Sequence, residues 1–250
     1  MKLHYYIVVC VLVFLAGFVD SIAGGGGLIS LPAYMFAGIP AHNAIATNKL
    51  SSTTGTAVST FTLIKNKCVD AHLIPASVIG ALSGSLIGAN LALRVSDDIL
   101  KTMLVIILPL AAFCVLKDKE LTPKVPENFS RKKQYIIIAV SALVIGVYDG
   151  FYGPGTGTFL LLAFTKLGKL DAGKATGNVK IVNLSSNVSA LITFLLAGKI
   201  VWGIGIAASV FSIMGHYTGA HMVLKSGVKI IKPIILVVLV LLLIKIIIGL

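Results

Sequence analysis

The chain has 250 residues, 57% of them hydrophobic and only 12% charged, with a mean hydropathy of +0.99. An ordinary soluble domain carries about 25% charged residues, so the composition excludes a sizeable water-soluble domain. It describes an all-α polytopic membrane protein, in which about 20 helical residues cross ~30 Å of hydrocarbon. The net charge of +12 does not point to nucleic acid, because the Lys and Arg residues lie in short loops between apolar segments, where they set topology.

In chain order, a first helix is expected at about 4 to 23, a short apolar piece at 27 to 38, and three helices at about 43 to 64, 71 to 93 and 98 to 116. A charged linker from Lys117 to Lys133, holding Pro123 and Pro126, follows. The remaining segments are expected at 134 to 150, 157 to 167, 174 to 197, 200 to 224 and 228 to 250. The organisation is therefore a first membrane repeat at 1–117, a cytoplasmic linker at 118–133 and a second membrane repeat at 134–250. The two short pieces have about 12 residues, or ~18 Å of helix, too little to span. They are expected to be broken or partial helices meeting near the midplane.

The division into halves rests on an internal repeat. A shift of 129 residues lays "GFVDSIAGGGGLISL" on "GVYDGFYGPGTGTFL", matching Asp20 to Asp149, Gly24 to Gly153 and Gly26 to Gly155. A shift of 131 lays "GSLIGA" (84 to 89) on "GHYTGA" (215 to 220). The run from Tyr5 to Gly17 after Lys2 has the outline of a signal peptide, but its copy inside the chain makes a structural role the simpler account. If each half crosses the membrane an odd net number of times, 14 basic residues share one side and five the other. Cytoplasmic loops hold the excess. The halves are therefore expected to be inverted, with both termini outside a cell membrane crossed several times.

Asp20 and Asp149 end their apolar runs at matching positions, and an isolated Asp in the bilayer costs about 2.5 to 3.5 kcal/mol on insertion scales. Three readings stand: each caps the amides of the following glycine turn, each titrates in coupled transport, or each meets water at an interface. The glycine runs at 24 to 27 and 153 to 157, which include Gly24, Gly26, Gly153, Gly155 and Thr156, break helix continuity. Irregular backbone at membrane depth is tolerated where it is buried in protein or lines a cavity. Breaks in corresponding places of two halves point to a transporter binding site, and free amides there favour an anion. Tight helix packing through small residues is the alternative, and it is the better account of the two GxxxG patterns.

The third piece of each half is polar for a membrane helix: 11 of 16 residues from 47 to 62, and 9 of 18 from 176 to 193, are Thr, Ser, Asn or Lys. Two such helices cannot both face lipid. Thr176, Lys180, Asn183 and Asn187 fall along one helical face, with Asn48 and Ser51 on the matching helix. Lys49 and Lys180, the basic residues assigned inside the membrane, lie ~9 to 12 Å from their helix starts. They either snorkel to the headgroups or, beside amide and hydroxyl donors, bind an oxyanion.

His42 and His72 read as loop residues. For His216 and His221, beside the second GxxxG stripe, an interhelical hydrogen bond is the first reading and a proton relay the second. Cys10, Cys68 and Cys114 form no CxxC pair and read as inert thiols, so neither metal nor cofactor is expected. No HExxH, paired carboxylates at a plausible spacing or nucleophile with base appears, so no enzyme is expected.

The two glycine motifs, each followed by a polar helix opening "ATNK" or "ATGNVK", resemble the TauE/SafE sulfite exporter family, also called the TSUP permeases, over essentially the whole chain. The resemblance implies two related halves and transport of sulfite, sulfoacetate or other sulfur-containing organic anions. It places Asp20, Gly24, Gly26, Asn48 and Lys49, with Asp149, Gly153, Gly155, Asn178 and Lys180, in the family's two motif regions. The expectation is a secondary transporter of small anions working by alternating access, in a lipid bilayer and compatible with a homodimer. An anion channel or a nonenzymatic membrane assembly factor is the alternative.

Overall fold

The computed structural model describes residues 3–100, 102, 103, 106 and 129–226. The expected helices at 98 to 116 and 228 to 250, and most of the linker, lie outside the described residues. Eight α-helices are described: α1 (Leu3–Ala23), α2 (Gly27–Phe36), α3 (Ala41–Lys65), α4 (Ile74–Ala92), α5 (Arg131–Phe151), α6 (Thr156–Leu162), α7 (Ala172–Leu196) and α8 (Trp202–Ser226). A 3-10 turn, Ala71–Leu73, leads into α4, and a π-helical turn, Ala163–Leu167, extends α6. No strand occurs among the described residues, as an all-α membrane protein requires.

Exposure sorts the helices into two layers. Four spans, one each on α1, α4, α5 and α7, are long and apolar enough to cross a membrane. The α1 row Leu3, Ile7, Val11 and Leu15, the α5 row Ile136, Val140 and Val144, and the α8 row Ile206, Val210 and Ile213 are exposed. Spacings of three and four residues put each row on one side of its helix, the side available to lipid. On α3 and α7 the exposed large apolar side chains gather toward the C-terminal ends, at Phe61 and Ile64 and at Ile192, Leu195 and Leu196. These two polar helices form the interior, because a hydroxyl or amide is cheaper against another polar helix than in hydrocarbon.

The strongest helix pairings map onto one another when the segments before and after the linker are exchanged. The closest associations are α4 with α5 and α1 with α8, followed by α3 with α8 and α4 with α7. Swapping α1–α4 for α5–α8 turns each of these pairs into another of them. The GxxxG glycines explain the tightest pair of interfaces. A Cβ at Gly84 or Gly88 would strike the Leu143 or Val147 carbonyl of α5, and one at Gly215 or Gly219 the Phe14 or Phe18 carbonyl of α1. Small residues let the backbones meet.

The central helices α3 and α7 run in opposite directions, since Lys49 bonds Asn187 whereas Thr60, eleven residues later, bonds the Lys180 carbonyl. At one end of the bundle the 65–72 loop meets the start of α5 through Arg131 and Asp70, 3.2 Å apart. At the other, His42 of α3 bonds Asp97 and the Ala92 carbonyl, while Asn43 bonds the Lys199 carbonyl at 2.8 Å.

Candidate functional site

The two helix breaks meet. Gly24 and Gly25 leave α1 with φ of +74° and +93°, and Gly153 and Gly155 leave α5 with φ of +97° and +86°. Positive φ is open to glycine at little cost. A Cβ at Gly24 would lie 2.6 Å from Gly157 Cα, and one at Gly27 would lie 3.2 Å from Pro154 Cα. The two loops thus touch through bare backbone. From them α2, only 10 residues long with Pro32 inside, and the seven-residue α6 run back along the interior.

Each break delivers its aspartate to a lysine of the other half. Asp20 Oδ2 accepts from Lys180 Nζ at 2.8 Å, and Asp149 Oδ2 accepts from Lys49 Nζ at 2.8 Å. Both lysines are 1% exposed, so neither snorkels. An unpaired buried charge would cost several kcal/mol. Each pair is completed by further donors and acceptors. Lys180 also donates to the Asp20 carbonyl, and Lys49 to Asn187 Oδ1 at 3.0 Å. Asp20 Oδ1 caps the glycine turn through the Gly26 amide at 3.2 Å, and its Oδ2 lies 3.2 Å from His216 Nε2. Asp149 instead accepts from the Ser186 hydroxyl. The capping role therefore holds for Asp20 alone, and in addition to its ion pair.

Between the pairs lies a narrow polar cavity, about 30 Å³ measured for the centre of a water-sized sphere. One water needs roughly 10 to 15 Å³ on that measure, so the cavity has room for about two waters and is too narrow for a larger guest without rearrangement. Of the residues expected from sequence, Asp20, Gly26, Asn48, Lys49, Ser51, Asp149, Gly153, Thr156, Asn183 and Asn187 line it. A hydroxyl and amide network holds its α3 wall: Ser30 Oγ donates to Asn48 Oδ1 at 2.6 Å, and Tyr34 Oη to Ser51 Oγ at 2.8 Å. On α7, Asn187 Nδ2 donates to Asn183 Oδ1 at 3.3 Å.

Four expected residues do not line the cavity. Gly24 is spent on contact with Gly157, and Gly155 caps α6 with a left-handed φ. Lys180 lies behind Asp20. Asn178 lies two residues, about 200° of helix, from Lys180, and its amide donates to the Lys174 carbonyl at 2.9 Å. Conversely, Ser30 and His216 line the cavity and escaped the site inferred from sequence. The 131-residue shift offered a signal for His216, because it sets a titratable side chain opposite Ser85 in an otherwise matching block. No group of three or more His, Cys, Asp or Glu suited to a metal occurs among the described residues.

Comparison with known proteins places this architecture. The family model described as "Sulfite exporter TauE/SafE" matches residues 9–246. The chain is 38% identical over 226 residues to the "Probable membrane transporter protein YfcA" of Escherichia coli K12, covering 90% of this chain and 82% of that one. It is 35% identical over 238 residues to "Probable membrane transporter protein ORF9" of Sinorhizobium, covering 94% and 89%. It is 34% identical over 228 residues to a "Probable membrane transporter protein" of Haemophilus influenzae, covering 90% and 87%. No solved structure matches it.

Proposed function

The chain belongs to the TauE/SafE sulfite exporter family, a family of membrane transporters, and from that premise we propose that it is a secondary transporter of small anions, sulfite and organosulfonates foremost. The observation that carries this reading is the narrow polar cavity beside two crossed Asp–Lys pairs, each made of one residue from either half.

The halves act as inverted repeats rocking about that cavity. Counterpart helices α3 and α7 run antiparallel, and only a two-fold axis perpendicular to them relates antiparallel helices. Such an axis lies in the membrane plane, as in other inverted-repeat carriers. The protein spans the cell membrane several times, with the basic 65–72 and 166–174 loops inside and both termini outside. Lys49, Asn183 and Asn187 on one wall, with the Gly26 turn and Thr156 on the other, contact the anion. The chemistry is positional: donors lining a narrow polar cavity replace the hydration shell of an oxyanion. Because Lys49 and Lys180, the buried ammonium groups among the described residues, are already paired, an entering anion must loosen a carboxylate, and uptake of a proton at the Asp20 site is the means. No covalent step is involved.

Counterflow in liposomes tests this. With the full chain reconstituted, external labelled sulfite or methanesulfonate is expected to accumulate transiently against internal unlabelled anion, with saturation. Flux that is linear and shows no counterflow identifies a channel instead, and no flux of any anion favours an assembly role. Lys49→Ala is expected to lower apparent affinity at least tenfold, since an ion pair to a bound oxyanion is worth roughly 1.5 to 3 kcal/mol.

A further inference from the structure

The two Asp–Lys pairs cancel, so the cavity is electrically neutral unless His216 carries a proton. His216 stands on α8 with its imidazole slotted between two glycines. A Cβ at Gly17 of α1 would lie 2.6 Å from Nδ1, and one at Gly55 of α3 would overlap the same atom. The ring is 2% exposed. Its orientation is fixed, and both nitrogens face acceptors: Nδ1 is 3.0 Å from the Ser212 carbonyl oxygen and Nε2 is 3.2 Å from Asp20 Oδ2. The Thr56 and Ser212 hydroxyls stand farther off, at 3.4 Å. A neutral imidazole has one N–H and satisfies one of these acceptors, whereas the imidazolium satisfies both.

The charged and titratable groups around it come from every wall. Asp20 faces it from α1, Lys180 of α7 shares the same carboxylate oxygen, and Lys49 of α3 and Asp149 of α5 line the same cavity. With the imidazole neutral, a monoanion entering this cluster leaves one uncompensated buried negative charge, which is expensive. With the imidazole protonated, the loaded cavity is neutral, and after both depart it is neutral again.

We infer that the Asp20–His216 pair is the proton site of the carrier, loading one proton with each monovalent anion and making the cycle electroneutral. Asp149 is tied instead to Lys49 and Ser186 and has no imidazole beside it among the described residues. This rests on the transporter reading above and deepens it. The favoured substrate class is a monoanion, a sulfonate or sulfite in its hydrogen sulfite form, and a dianion such as sulfate is disfavoured because it leaves one negative charge uncancelled.

The test uses labelled methanesulfonate, whose acid is fully ionised at neutral and mildly acidic pH, so that pH acts on the protein alone. In wild-type proteoliposomes at zero membrane potential, one pH unit, acid outside, is expected to drive accumulation approaching about tenfold, the ratio set by one proton per anion. A potassium-diffusion potential should leave that accumulation unchanged. His216→Gln should lose the accumulation, and its methanesulfonate counterflow should fall at least tenfold, because no imidazolium then balances the entering anion. If that variant does not fold, 15N-histidine spectra of the wild type decide: one buried imidazole should become doubly protonated when methanesulfonate is added.

Wild-type protein without counterflow overturns the transporter reading. Counterflow without pH-driven accumulation, or accumulation driven by voltage, overturns the electroneutral proton coupling alone. Persistent accumulation in His216→Gln, or spectra that do not change, overturns the assignment to His216.

Discussion

The two ion pairs are counterparts by sequence and differ in their surroundings. Asp149 has Lys49 and a serine hydroxyl, so its charge is balanced by one fixed cation. Asp20 has Lys180 and an imidazole whose charge depends on its proton. On the proton-site proposal, the same repeated motif is a constant pair in one half and an adjustable one in the other. The single exchange behind this is His216 against Ser85 at matching positions of α8 and α4. Ser85 donates to the Ser186 carbonyl at 2.6 Å and reaches no carboxylate in doing so, whereas His216 extends between two glycines to Asp20. The helix pairings match between the two segments, and one long polar side chain makes the surroundings of the two carboxylates differ.

The largest effect should come from removing one lysine at a time. Lys49→Met strands the Asp149 carboxylate with only a hydroxyl, and leaving a buried charge uncompensated costs about 3 to 5 kcal/mol. Lys180→Met should cost less, because the His216 imidazole stands 3.2 Å from Asp20 and on the proton-site proposal takes up a proton to balance it. Thermal unfolding in detergent should therefore rank Lys49→Met as the more damaging. Asp149→Asn combined with Lys49→Met should recover most of the loss, since no net charge is left behind. Equal losses for the two lysines would break the comparison and make the imidazole irrelevant to charge balance.

A smaller effect tests the backbone that holds both pairs. Gly24 has a positive φ and touches the second glycine loop, whereas Gly38 has φ +82° and nothing within 4 Å of the point where a methyl group would stand. Gly38→Ala should incur only the left-handed strain, about 1 to 2 kcal/mol. Gly24→Ala should add an overpacking cost of about 1 to 3 kcal/mol and separate the loops, displacing Asp20 and Asp149 together. Unfolding midpoints should fall further for Gly24→Ala, and counterflow should be lost there while it survives in Gly38→Ala.

The positions of these elements were legible because each obeys a local rule. The glycine runs end α1 and α5 for lack of helix propensity, and the polar content of α3 and α7 forbids a lipid face. The duplicated Asp and Lys stood out as costly residues in an apolar chain. Their partners were not legible. Asp20 meets Lys180, and Asp149 meets Lys49, only because the halves interlock, and no spacing along one helix encodes a contact made across two. One clue lay in the count: two aspartates and two lysines within apolar or polar membrane segments must cancel one another. His216 was hidden for a related reason. Beside a GxxxG stripe it reads as packing, and its functional direction is set by Gly17 and Gly55 on two other helices.

The smallest effect is expected at Asn178, which family resemblance placed in the motif region and the fold places away from the cavity. Its amide donates to a carbonyl one turn back, and its buried Oδ1 has no partner. Asn178→Ala therefore removes one local hydrogen bond together with one unsatisfied acceptor, effects of opposite sign and each about 1 kcal/mol. Stability should change by less than about 1 kcal/mol, and methanesulfonate counterflow should keep its wild-type affinity. Asn187→Ala, which takes the acceptor from Lys49 at the cavity wall, should lower that affinity at least tenfold. Should Asn178→Ala lose affinity instead, α7 must turn its other face to the substrate in another state of the cycle. Lys180 would then leave Asp20 during transport, and the adjustable pair would open through its lysine rather than its imidazole.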